Sequence, residues 1–287
     1  MKKIGIVVNM RKQEALDTAF RLMKMIDNQG AELMLCREAA ISLGIAADTG
    51  YSIQQLGEQA DFLLVLGGDG TLLNIAKAVC SYDIPILGIN LGRLGFLTEV
   101  EVGDLELALK QLLKGEYVIE ERTMLEAYSS HNQTVKYLAL NDIVISRGSL
   151  SRIISYNVVI NDIYLDSYMA DGIIIATPTG STAYSLSAGG PIVNPSIPGI
   201  VLTPICPHTL YSRSLVINNS EKIDITLTEI RGEAYMTVDG QKGIPLIEDE
   251  TITICKSSMT TKLIRLKEQN FYKSLRTRLI QPVTKIN

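Results

Sequence analysis

The chain has no tryptophan, four phenylalanines and two histidines among its 287 residues. With only His131 and His208 available, a histidine-rich metal centre is excluded. The four cysteines (Cys36, Cys80, Cys206 and Cys255) lie far apart and form no metal-type pair, so ordinary thiols in a reducing, cytoplasmic setting are expected. Positive charge is not in excess: 27 Lys and Arg face 31 Asp and Glu, a net charge of −4. No global basic field therefore invites nucleic acid or an anionic membrane. Only a mild cluster at Lys273, Arg276 and Arg278 departs from an even scatter. Apolar runs fall far short of the roughly 20 residues that span a bilayer. Met1-Lys2-Lys3 before Ile4–Val8 has the outline of a signal peptide, but its apolar part is too short and Asn9, Arg11 and Lys12 follow at once. A first β-strand fits better. What is present is a hydrophobic content of 46%, enough for a well-buried core, in a chain with room for two domains.

The most informative stretch is Asp61–Lys77. A Leu- and Val-rich run ends in Gly67-Gly68-Asp69-Gly70-Thr71, and Leu72, Leu73, Ile75, Ala76 and Val79 then fall on one helical stripe. Strand, glycine turn and helix start is the arrangement in which main-chain N–H groups face an anion. Glycine leaves the main chain bare of Cβ, so a phosphate can come close. A carboxylate beside a phosphate is repelled unless it has a task. Asp69 has two chemical candidates for one: taking a proton from a hydroxyl nucleophile, or helping to hold a metal–phosphate complex. A third, structural reading is a turn residue that caps the helix.

Two halves follow different grammars. Over residues 1–118 strands are expected at Lys3–Val8, Glu32–Cys36, Phe62–Leu66 and Ile84–Ile89, with helices at Glu14–Ile26 and Leu105–Leu113. Such alternation predicts an α/β domain with a mostly parallel sheet, whose ligands bind beyond the carboxyl ends of strands. From about Glu120 short β-branched runs follow closely, at Tyr137–Leu140, Ile143–Ser146, Ile153–Ile160, Ile163–Tyr168, Gly172–Ala176, Leu215–Ile217, Ile223–Thr228, Ala234–Val238 and Thr251–Cys255. Asn161-Asp162 and Asp239-Gly240 stand where hairpin turns would fall. This half predicts a predominantly antiparallel β-sandwich, with one short helix at Ser181–Ala188. Phe271, Leu275 and Leu279 give the C-terminal segment an apolar stripe.

Three further segments carry candidate chemistry. Asp171–Pro191 runs a buried-looking strand into Thr177-Pro178-Thr179-Gly180-Ser181-Thr182, whose hydroxyls and N–H groups suit a phosphate or sugar edge. Tyr184 offers a ring for stacking, and Ser187 shares its face one turn later. The plain alternative is a Ser/Thr-rich N-cap. In Ala139–Val144 the pair Asn141-Asp142 interrupts an apolar strand, as a β-bulge does or as a ribose- or adenine-binding amide and carboxylate would. Gly88–Leu97 is a second glycine-rich connection without Rossmann spacing, and the chain lacks a Walker-type Gly-Lys-Ser/Thr ending. Its Arg93 is a candidate phosphate ligand or a solvated loop residue.

In chain order, Gly67–Thr71, Gly88–Leu97, Asn141-Asp142, Asp171–Pro191, Pro204–Leu210 with Arg213, and Asp239-Gly240-Gln241 resemble the motifs of the NAD kinase family. The resemblance spans nearly the whole chain. The glycine–aspartate motif alone is shared with lipid kinases and, loosely, phosphofructokinases, whereas the Thr177–Tyr184 block is far more specific. The resemblance implies a NAD kinase/diacylglycerol kinase-like fold. It implies a Rossmann-like α/β domain over 1–118, a β-rich dinucleotide-binding domain over 119–262, and a segment over 263–287 that returns to the first domain. It implies phosphoryl transfer from ATP, or in some members polyphosphate, to the 2′-hydroxyl of the adenosine ribose of NAD. Mg²⁺ would arrive with ATP, and the chain would form homodimers or homotetramers.

Residue by residue, the resemblance implies that Asp69 orients and deprotonates the hydroxyl, while Gly67, Gly68, Gly70 and Thr71 lie at the phosphates. Asn141 and Asp142 would meet the adenosine, and Asp171 the nicotinamide end. Thr179, Thr182, Ala183, Tyr184, Ser185, Leu186 and Ser187 would line the dinucleotide pocket, with Arg152 and Gln241 as further ligand positions. Two positions depart from the pattern. Asp142 stands where Glu is common, one methylene shorter, and Met169 stands where a basic residue often precedes the Asp-Gly pair. The alternatives are a lipid kinase of the diacylglycerol kinase type, which lacks a basic amphipathic helix here, and a non-catalytic NAD(P) sensor, against which the retained Asp69 weighs.

Overall fold

The computed structural model describes residues 1–45, 49–92, 95–209, 211–266 and 271–276. The chain divides into two compact units: Met1–Glu121 joined by the described residues from Thr261 onward, and Arg122–Thr260.

The first unit carries strands β1 (Lys3–Val8), β2 (Glu32–Leu35), β3 (Phe62–Gly67), β4 (Ile86–Asn90) and β5 (Val100–Glu101). Its helices are α1 (Gln13–Asn28), α2 (Arg37–Ser42), α3 (Ile53–Gln59), α4 (Asp69–Val79) and α5 (Leu105–Lys114). The sheet runs β4-β3-β1-β2, all parallel, with β5 also parallel to β4. Every residue of β3 is buried, as an unbroken apolar run demands of a strand covered on both faces. Strand β4 starts at Ile86 rather than Ile84 because Pro85 has no N–H to give the ladder. Helices α2 and α3 lie outside the sequence expectations. Ser52 and Gln55 close a capping box on α3, a signal legible as Ser-x-x-Gln.

The second unit contains β6 (Val118–Ser129), whose first residues belong to the first unit, then β7 (Asn132–Ala139), β8 (Asp142–Arg147), β9 (Ile154–Ile160), β10 (Ile163–Ala170) and β11 (Gly172–Ala176). After the helical turn α6 (Tyr184–Ser187) come β12 (Gly199–Ile205), β13 (Leu215–Asn218), β14 (Ile223–Glu229), β15 (Ala234–Val238), β16 (Ile244–Leu246) and β17 (Thr251–Arg265), whose residues from Thr261 belong to the first unit. One antiparallel sheet has the order β13-β12-β11-β8-β15-β16. Facing it, β10-β9-β14 and the start of β17 also pair antiparallel. Between them Ile143, Ile145, Tyr156, Ile173, Ile175, Ile225 and Ile254 form one apolar core. This is a predominantly β domain after an α/β domain, the fold class the alternation of patterns predicts.

Asn161 and Asp162 both have positive φ (48° and 65°), as do Asp239 and Gly240 (49° and 67°), the conformation a two-residue hairpin turn requires. The helix expected over Ser181–Ala188 is instead a 3₁₀ turn, Gly180–Thr182, and the single turn α6. Ala183 separates them with φ −101° and ψ −127°, which breaks the helical ladder. Strand β17 continues ten residues past Cys255, and its last part reaches β4 in parallel at Leu263↔Ile86. Helix α7 (Phe271–Leu275) follows; Arg278 and Leu279 lie outside the described residues. No helix among the described residues is long and apolar enough to cross a membrane.

Candidate functional site

In the first unit, β3 delivers the chain to Gly67 and α4 begins at Asp69, with Gly68 extended at the N-cap (φ −105°, ψ −174°). The first-turn amides of α4 thus carry the positive end of an eleven-residue helix. Around the Cβ positions of Gly68 and Gly70 lies open space, so a ligand atom can approach the main chain there. Gly67 is glycine for packing: a Cβ would stand 2.5 Å from Thr71 Oγ1. That Thr71 hydroxyl accepts a hydrogen bond from Asn9 Nδ2 (2.9 Å), and the Asn9 N–H donates to Leu66 O (2.9 Å). Asn9 caps the end of β1 beside the turn; its signal was a polar residue closing an apolar strand.

The Asp69 side chain turns toward the loop that follows β4. Its Oδ2 accepts the Phe96 N–H (2.6 Å). Its Oδ1 accepts the N–H groups of Leu97 and Thr98 (both 3.1 Å) and the Thr98 hydroxyl (3.3 Å). Thr98 Oγ1 in turn accepts the Gly95 N–H (3.0 Å). Gly95 must be glycine, since a Cβ would fall 1.9 Å from Asp69 Oδ1. Behind the loop, buried Arg265 donates to Leu97 O (3.2 Å), Glu99 Oε2 (3.1 Å) and Glu120 Oε2 (2.7 Å). The sequence marked this loop by its glycines but not Thr98 or Arg265. Arg93 and Leu94 lie outside the described residues.

In the second unit the structure brings Asn141-Asp142 against the Thr177–Ser187 block. Strand β8 pairs with β11 in the register Asp142↔Ala176. Thr177 donates from its N–H to Asn141 O (2.8 Å) and from Oγ1 to Leu140 O (2.6 Å). Gly180 packs so tightly that a Cβ would stand 2.1 Å from Asn141 O. The carboxylate of Asp239, at the end of β15, accepts the three successive N–H groups of Leu140 (3.0 Å), Asn141 (2.7 Å) and Asp142 (3.1 Å). Asp142 is 4% exposed. Burial first, and the neighbouring Asp239 second, push its pKa up to about 7.

Within the block the hydroxyls divide. Buried Ser181 bonds Pro178 O (2.6 Å) and Val193 O (3.2 Å), and buried Ser185 bonds Thr203 Oγ1 (2.9 Å), so both knit the turn to its scaffold. Buried Thr179 accepts from Arg122 Nη1 (3.1 Å), a contact the sequence did not suggest. Thr182, Ala183 and Leu186 are half-buried, while Tyr184 and Ser187 are exposed on one face. Gln241 follows the Asp239-Gly240 turn and donates its N–H to Val238 O (3.0 Å). Arg152 and Asp171 meet elsewhere in this unit, in a pocket of about 410 Å³ shared with Arg147, Met169, His208 and Arg231. There Asp171 pairs with Arg147 Nε at 2.5 Å. Among the described residues no three His, Cys, Asp or Glu side chains gather to hold a metal ion.

A bare glycine turn at a helix N-terminus with an aspartate, in a chain that also carries a β-sandwich with a Thr-rich turn, fits the class of phosphotransferases that act on an alcohol. Comparison with known proteins gives the particular family. Residues 4–117 match the ATP-NAD kinase N-terminal domain and residues 140–266 the ATP-NAD kinase C-terminal domain. The NAD kinase of Caldanaerobacter subterraneus subsp. tengcongensis is 44% identical over 283 residues, 98% of this chain and 100% of that one. That of Moorella thermoacetica is 42% identical over 280 residues, 97% of this chain and 89% of that one. Among solved structures, yeast NADH kinase complexed with NADH superposes with a TM-score of 0.88 at 25% identity, covering 100% of this chain and 89% of its own. An Archaeoglobus fulgidus NAD kinase in complex with ATP gives 0.70 at 25% identity, with 96% and 97% covered. The chain belongs to the NAD kinase family. It is a phosphotransferase acting on NAD, and the comparisons carry that reading rather than the lipid kinase or the sensor.

Proposed function

We propose that this enzyme transfers the γ-phosphoryl group of ATP to the 2′-hydroxyl of the adenosine ribose of NAD, giving NADP and ADP. The observation that carries the mechanism is Asp69 at the first turn of α4, beside glycines that leave the main chain bare. The ribose oxygen forms its bond to phosphorus as the bond from phosphorus to the β-phosphate oxygen breaks, and the hydroxyl proton passes to Asp69. A free aspartate, with pKa about 3.9, is too weak to make an alkoxide outright, so the proton moves late, as the new bond forms. Gly67, Gly68, Gly70 and Thr71 serve the phosphates. Asn141 and Asp142 serve the adenosine, and Asp171 and Arg152 the nicotinamide end. Thr179, Thr182, Ala183, Tyr184, Ser185, Leu186, Ser187 and Gln241 shape the dinucleotide pocket. Ser185 and Thr179 act through the scaffold they brace.

Mg²⁺ would come as part of the ATP substrate, where its charge would offset that of the phosphates. Residues 1–118 hold the glycine turn, 119–262 the dinucleotide, and 263–287 return to the first domain; the grouping of the described residues from Thr261 onward with Met1–Glu121 supports that division. The protein works in the cytoplasm as a homodimer or homotetramer. The test is incubation with NAD, ATP and Mg²⁺, reading NADP with an NADP-specific dehydrogenase, beside an Asp69→Asn control. NADP from the wild type alone is the expected result. No NADP, with polyphosphate as donor or NADH as acceptor also tried, would overturn the reading.

A further inference from the structure

The hydrogen bonds on Asp69 are unequally shared. Among the described residues, Oδ1 receives three donors and Oδ2 receives one. An ionised carboxylate offers about two acceptor sites on each oxygen. Oδ1 is therefore saturated, while Oδ2 keeps one site, and the residue is only partly buried. We infer that Oδ2 is the oxygen that receives the acceptor's proton, that Oδ1 is an anchor, and that Thr98 is the positioning residue that keeps the two apart. This rests on the phosphoryl-transfer reading and deepens it.

Three features make the anchor a built one. Thr98 is 1% exposed, and its hydroxyl spends its proton on Asp69 Oδ1 while accepting the Gly95 N–H, so its own rotamer is fixed from both sides. Gly95 admits the carboxylate into the space a side chain would fill. Arg265 holds the carbonyl of Leu97 from behind, so the amides facing Asp69 cannot drift as a free loop would. A carboxylate held in this way cannot rotate about its last bond to present Oδ1 in place of Oδ2. The hydroxyl of the acceptor then meets one defined oxygen, as orientation-dependent catalysis requires.

The experiment compares Thr98→Val, which keeps the shape and loses the hydroxyl, with Thr98→Ser, which restores it. Initial rates are fitted for kcat and for KM of NAD and ATP separately. The expected result is a kcat lowered about tenfold to a hundredfold in Thr98→Val. Both KM values stay within about twofold, and Ser recovers most of kcat. A Thr98→Val enzyme with wild-type kcat overturns the inference, as does a Ser variant no better than Val. Should Thr98→Val not fold, Gly95→Ala provides the second route, because its methyl group displaces the carboxylate itself. It is expected to bind NAD by calorimetry and to lose kcat to the same extent; normal turnover there also overturns the inference. If the wild type forms NADP and Asp69→Asn does not, a null effect at Thr98 and Gly95 sinks this inference alone. If the wild type forms no NADP, the underlying reading falls with it.

Discussion

Asp69, Asp239 and Asp142 meet main-chain amides or each other, with different results. Asp69 and Asp239 each collect three N–H groups, whereas the Asp142 carboxyl is buried beside Asp239. In Asp69→Asn the amide NH₂ must face either Phe96 N–H or the pair at Leu97 and Thr98. The variant is expected to lose at least about 100-fold in kcat as general-base assistance disappears. The unpaired donor also costs roughly 1–3 kcal/mol of stability. Steady-state kinetics, calorimetric NAD binding and a melting curve check each part, and near-normal turnover would remove Asp69 from the chemistry. Asp142 makes a pH prediction. Its folded pKa of about 7 lies above the ordinary 3.8, so between these values the folded state holds more proton than the unfolded one. Stability therefore falls as pH rises through that window, and the loss is complete above pH 7, up to about 4 kcal/mol if the whole shift is expressed. Asp142→Asn should flatten this slope and be more stable than the wild type at pH 8, as urea unfolding at pH 5 and pH 8 would show. Equal slopes would contradict it. The sequence marked Asn141-Asp142 as a polar break in an apolar strand, but it could not show the burial. Nor could it show the neighbouring Asp239, almost a hundred positions away.

At the scale of elements, the loop after β4 is braced by a buried ion pair as well as by its own hydrogen bonds. Arg265 and Glu99 have side chains 7% and 2% exposed. Removing one partner of such a pair leaves a charge stranded in the interior. Arg265→Met is expected to cost about 3–5 kcal/mol, and the double variant with Glu99→Gln should recover much of it; equilibrium unfolding of the three proteins decides. Recovery failing would mean the network's value lies in its hydrogen bonds, from Arg265 to Leu97 O and from the Leu266 N–H to Glu99 Oε1 (3.3 Å), rather than in charge. Strands β1, β11 and β15 were legible at their observed ends, because their apolar runs are uninterrupted or cleanly alternating. Strand β6 was not, since Glu120-Glu121-Arg122 breaks its pattern, and Arg122 is itself buried against Thr179. Pro204 disguised β12, although its neighbours pair regularly with β11. The polar run Lys256–Lys262 hid the length of β17.

For the whole molecule, the two units differ in how the chain builds them. Arg122–Thr260 is one continuous segment, whereas the other unit needs both ends of the chain. A fragment of residues 122–260 is expected to melt cooperatively by itself. A fragment of residues 1–121 is not, because it lacks the Leu263 pairing with β4 and Arg265 against Glu99. Circular dichroism melts of the two fragments test this, and a cooperative 1–121 fragment would show that the returning strand is dispensable. The clasp that Asp239 makes on Leu140, Asn141 and Asp142 has a temporal side as well. It joins residues 97 to 99 positions apart, so a large loop must close before those three amides acquire their direction. Contacts of such range form late in a folding chain. The Asn141-Asp142 pair is therefore among the last features to be born, and a bound dinucleotide should lengthen the lifetime of the finished protein without hastening its arrival.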